Sequence, residues 1–101
     1  MEYNKLVRDR IPEIIAAQGE KPMIRVMDDK EYRISLEKKL DEEVAEYHAS
    51  KELEELADIL EVVYALCSAQ GHSVDELMRI YEKKHIERGG FSKRIFLLRK
   101  E

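Results

Sequence analysis

The chain has 101 residues, enough for one small domain over 1–101 and too few for two with separate cores. Charged residues make up 40% and hydrophobic ones 44%, the balance of an amphipathic helical protein, and no apolar run reaches the roughly 18 residues that span a bilayer. A net charge of −4 argues against gripping a nucleic acid polymer through its phosphates, which takes a basic surface. The N-terminus does not read as a secretory signal, and the lone Cys67 has no disulfide partner. A cytoplasmic protein that does not insert in membranes is expected.

In chain order, the residues Asn4, Lys5, Arg8 and Arg10 read on their own as a solvated basic arm. Ile11 to Gly19 predicts a short helix, with Pro12 at a first-turn position and Gly19 just past the end. Met23–Met27 and Ile95–Leu98 are short apolar runs that predict one pair of strands. Between them the pattern predicts three longer helices. The first is capped near Asp28 and Asp29 and runs to about Ala49. The second is capped by Ser50, runs from Lys51 to Gln70 and is closed by Gly71. The third opens on Ser73-Val74-Asp75-Glu76, the spacing of a capping box, and stops near Arg88 before Gly89-Gly90. The expected fold is all-α, of the four-helix-bundle type with antiparallel neighbours and the one strand pair.

The second long helix is unusually apolar. At 100° per residue, its apolar positions from Leu53 to Cys67 cover well over half of its circumference. A bundle this small has too few other helices to surround it, so burial against a second copy is expected, as a dimer or higher homo-oligomer. Cys67 lies within that apolar pattern, where a buried thiol without a catalytic role is expected.

Two carboxylates interrupt apolar seams. Leu36, Leu40, Glu43 and Tyr47 are spaced four, three and four residues apart, and so are Glu55, Ile59, Val62 and Leu66. Glu46 follows Glu43 by three residues, and Asp58 follows Glu55 by three. A turn centred between Ser50 and Lys51 would set 43 level with 58 and 46 level with 55. Two like charges roughly 4 Å apart repel by about 4 kcal/mol at an effective dielectric of about 20. Clustered acids must therefore take up protons or share a cation. Ligands of oxygen alone favour Mg2+ or Mn2+ over zinc. His48, His72 and His85 read as turn or surface residues. For Glu43 a partly solvated edge of the stripe is the alternative, and for Asp58 a solvated position.

Lys39-Leu40-Asp41-Glu42-Glu43-Val44-Ala45-Glu46, followed by Glu55-Leu56-Ala57-Asp58, resembles the ExxE…ExxD signature of the all-α nucleotide pyrophosphohydrolases. That superfamily includes MazG-like enzymes and phosphoribosyl-ATP pyrophosphohydrolases. Asn4 to Pro12 and Lys83 to Phe91 resemble a subgroup labelled phosphoribosyl-ATP pyrophosphohydrolase-like, so that the likeness covers most of the chain. The resemblance implies an oligomeric helical bundle binding magnesium through Glu43, Glu46, Glu55 and Asp58. It also implies cleavage of the α–β phosphoanhydride of a nucleoside triphosphate, giving the monophosphate and pyrophosphate, with house-cleaning of non-standard nucleotides as one use. Glu43 and an auxiliary base, Glu42, would be catalytic. Asn4, Lys5, Arg8, one of Lys83 and Lys84, and Arg88 would meet the substrate. The Asn-x-Lys-Phe form common in MazG-like members is missing, and no Walker A motif is present. Phosphoribosyl-ATP, for histidine synthesis, is the second substrate expected. Outside enzymes, the alternative is a helical dimer that binds a partner protein, with the acids as a solvated face. Lys83, Lys84 and Arg88 would then merely complement the helix dipole.

Overall fold

A computed structural model describes residues 3–101. Helix α1, Ile11–Ala17, has proline in its first turn, and Gly19 just beyond it takes the left-handed backbone (φ 88°) that favours glycine. Helix α2, Asp29–Ser50, begins where Asp28 accepts a hydrogen bond from the Glu31 N–H at 2.8 Å. Arg25 donates to Glu31 through both terminal guanidinium nitrogens, at 2.6 and 2.7 Å, and ties the preceding segment to this first turn. Helix α3 spans Leu53–Ala69 and α4 spans Val74–Arg88. The α4 capping box is complete: the Ser73 hydroxyl accepts from the Glu76 N–H, and the Glu76 carboxylate accepts from the Ser73 N–H.

Two sequence expectations change. Ser50 ends α2 instead of capping α3, because Lys51 turns into the left-handed region (φ 60°) and donates its N–H to Tyr47 O at 2.8 Å. The Ser50 hydroxyl accepts from the Glu52 N–H at 3.2 Å, so it braces the turn, and α3 starts at Leu53. The expected strand pair is not formed, and no strand occurs among the described residues. Met23, Val26, Ile95 and Phe96 are all exposed, and no backbone hydrogen bond joins the two segments. A lone pair of strands with nothing covering either face is marginal in water.

The fold is all-helical, and its packing is that of a small helical bundle. Its main interface is the antiparallel hairpin of α2 on α3, while α4 packs on α3 alone. The most buried residues are Leu36, Glu43 and Val62, all within this hairpin. The radius of gyration is 18.0 Å, against about 13 Å for a compact chain of this length. Leu56 and Leu60 on α3, Ile80, Tyr81 and Ile86 on α4, and Phe91 beyond it stay exposed. Cys67 is half-buried, and its thiol lies 3.3 Å from Ser73 O at the α3–α4 turn. No helix among the described residues is long and apolar enough to cross a membrane.

Candidate metal centre

The hairpin brings together acids from its two helices. α2 supplies Glu42, Glu43 and Glu46 in its fourth and fifth turns, and α3 supplies Glu55 and Asp58 from its first two. They form two overlapping triplets. Carboxylate oxygens of Glu42, Glu43 and Glu46 lie within 4.8 Å of one another, and so do those of Glu43, Glu55 and Asp58. Glu43 belongs to both and is only 6% exposed.

The hydrogen bonding inside the cluster is incomplete. Oε2 of Glu43 and Oε2 of Glu55 are both buried and lack any hydrogen-bond partner among the described residues. A buried acceptor left unmatched costs roughly 1–3 kcal/mol, more when charged, so two in one cluster are unusual. Burial raises the pKa of Glu43 above its ordinary value, and the neighbouring Glu46 charge raises it further. The ammonium of Lys39 opposes both effects.

Among the described residues, three cations border the acids. Lys39 lies 3.4 Å from Oε1 of Glu42 and 3.4 Å from Oε1 of Glu43. Lys5 reaches Oε1 of Glu42 at 3.7 Å, and Arg8 donates to Oδ1 of Asp58 at 2.9 Å. The N-terminal arm therefore lies against the acids, with Asn4 bent into the left-handed backbone region (φ 45°) one residue before Lys5. Lys39 was not singled out from the sequence. Its signal was its placement three residues before Glu42 and four before Glu43, where helical side chains meet.

The other expected substrate residues stand apart. Lys83, Lys84 and Arg88 are exposed on the last two turns of α4, and no ion pair or hydrogen bond joins them to the acids among the described residues. Their position near a helix C-terminus is the one the helix dipole favours for cations. His72 pairs with Glu76 at 3.0 Å, and His85 stacks on Tyr81, so these histidines are engaged away from the acids.

Chemically, the triplet of Glu43, Glu55 and Asp58 offers oxygen donors from both helices, one residue almost wholly buried and two oxygens that nothing satisfies. That donor set fits a hard divalent cation such as magnesium or manganese. Neither a protein-family model nor a solved structure matches the chain. Over 46 residues it is 59% identical to an uncharacterized protein of Mycolicibacterium smegmatis, a match covering 46% of this chain and 47% of that relative.

Proposed function

We propose that the chain is a magnesium-dependent nucleotide pyrophosphohydrolase of the MazG-like kind, cleaving a nucleoside triphosphate between its α and β phosphates. The observation that carries this is the pair of buried, unpartnered oxygens on Glu43 and Glu55 within one cluster of acids. Glu43, Glu55 and Asp58 would hold the ion, with Glu46 at the rim beside Glu43. Bound there, magnesium (or manganese) would offset phosphate charge and lower the pKa of an attacking water.

The chain's own residues do the rest. Glu42, half-exposed at the mouth of the cluster, is placed to take a proton from water once Lys5 swings from it to a phosphate oxygen. Arg8 sits beside Asp58, where its guanidinium can meet a substrate phosphate arriving at the acids. Lys83, Lys84 and Arg88 lie on α4, which packs on α3 alone, and would reach phosphates from the bundle of a second copy. Self-association follows from the apolar residues left open on α3 and α4, and a cytoplasmic setting, where nucleotides and magnesium abound, is part of the proposal.

A pyrophosphate-release screen across canonical, deoxy and damaged triphosphates and phosphoribosyl-ATP, with millimolar magnesium, tests this function. Release that depends on metal and is lost in Glu43→Gln is expected. Equal release by Glu43→Gln would remove that residue from the site.

A further inference from the structure

Granting the metal assignment above, we propose that Lys39 is a built-in cation standing where a second metal ion would bind, so that the site takes one divalent ion per chain. The two acid triplets differ in what already neutralises them. In the triplet of Glu42, Glu43 and Glu46, the Lys39 ammonium bridges Glu42 and Glu43, at 3.4 Å from each, and Lys5 adds a second positive charge at 3.7 Å from Glu42. In the triplet of Glu43, Glu55 and Asp58, Lys39 reaches only Oε1 of the shared Glu43, and the other cation among the described residues is the exposed Arg8, which touches one oxygen of Asp58. Both unpartnered buried oxygens belong to residues of this second triplet.

Glu43 divides its two oxygens accordingly. Oε1 faces Lys39, and Oε2 has no partner. The Lys39 side chain is only 18% exposed, and its place on α2 three and four residues before its acids holds the ammonium there without any tertiary tether. A second divalent ion among Glu42, Glu43 and Glu46 would press directly on this desolvated ammonium. Charge balance agrees. Among the described residues, five carboxylates against Lys39, Lys5 and Arg8 leave two negative charges, which one divalent cation cancels. Lys39 is thus a positioning residue: it turns one oxygen of Glu43 away and leaves the other for the ion.

Mn2+ titration of the intact chain, with free Mn2+ counted by electron paramagnetic resonance, tests this without reference to turnover. One ion per wild-type chain is expected, two in Lys39→Gln, and one again in Lys39→Arg, which restores the charge. Lys39→Met keeps the apolar stem and serves as a second neutral variant, with two ions expected. Two ions in the wild type overturn the proposal, as does a count of one in a neutral variant whose circular dichroism matches the wild type. A wild-type count of zero overturns the metal assignment itself, and a count of zero is distinct from either of those results.

Discussion

Glu43 on α2 and Glu55 on α3 each carry a buried carboxylate oxygen with no hydrogen-bond partner, and the two residues contribute to one triplet of acids spanning the hairpin. An arrangement of this kind destabilises the metal-free chain and is relieved by a cation. The hairpin core is thereby linked to the proposed chemistry, because Glu43 occupies a position that Leu or Ile would fill for stability alone.

The raised pKa of Glu43 has a definite sign in stability. From its ordinary value of 4.5 up to the raised folded value, the folded chain holds more protons than the unfolded chain, so metal-free stability falls as pH rises through that window. Above the folded value the penalty is complete. Glu43→Gln removes it. Without metal, Glu43→Gln should melt higher than the wild type at neutral pH, and the gap should close as pH falls toward 4.5. Millimolar magnesium should reverse the order by stabilising only the wild type. Melting curves at several pH values, with and without magnesium, check both parts.

Arg8 would compete with the proposed metal for Asp58; its side chain is more than half exposed, so the ion pair contributes at most about 1 kcal/mol. Arg8→Gln should therefore tighten Mn2+ binding by roughly two- to fivefold. It should also raise the KM for a triphosphate, since the same guanidinium is proposed to meet phosphate. Opposite movement of the two quantities separates this role from simple loss of structure.

The capping box at Ser73 holds the start of α4, a helix with little other packing. Ser73→Ala should cost about 1 kcal/mol, concentrated in α4. Amide hydrogen exchange should accelerate from Val74 through its first turns and leave the α2–α3 hairpin unaffected. Acid should loosen the same cap. Glu76 has its pKa lowered first by the hydrogen bond with His72 and then by the Ser73 backbone N–H, so its contribution is present above 4.5 and is lost as pH falls through its lowered value.

The open apolar faces predict self-association. Leu60 on α3 is 48% exposed in an apolar stretch. Leu60→Glu should shift sedimentation from a homo-oligomer to a monomer, whereas Leu36→Glu, aimed into the hairpin core, should prevent folding. A wild-type chain that sediments as a monomer at micromolar concentration would contradict the assembly.

Much of this was legible in the sequence where a local signal acts alone. Asp28 and Ser73 mark the starts of α2 and α4 because each supplies the oxygen that the first turn lacks. Glu43 announced its burial by standing in a seam of leucines. Glu46 shares the acid cluster but stays exposed, since three residues along a helix leave it about 60° around the axis from Glu43, at the edge of the buried stripe. The α2–α3 turn was less legible, because any residue type can be drawn into the left-handed region when a helix end needs it, and here that residue is Lys51. The strand pair failed for a tertiary reason: extended apolar runs require a surface to cover them, and Met23–Met27 and Ile95–Leu98 have none. Lys39 was hidden by its commonness, as a lysine in a charged helix reads as solvated until one of its acids, Glu43, proves to be buried.

The central claim is that the hairpin acids form a metal site, and thermal melting of the wild type and Glu55→Gln in rising magnesium tests it most directly. The wild type should gain stability steadily, by roughly 2.7 kcal/mol once magnesium reaches a hundredfold excess over its dissociation constant, with Glu55→Gln nearly unmoved. A wild-type melting temperature that stays flat through millimolar magnesium, or one that climbs equally in Glu55→Gln, would contradict it.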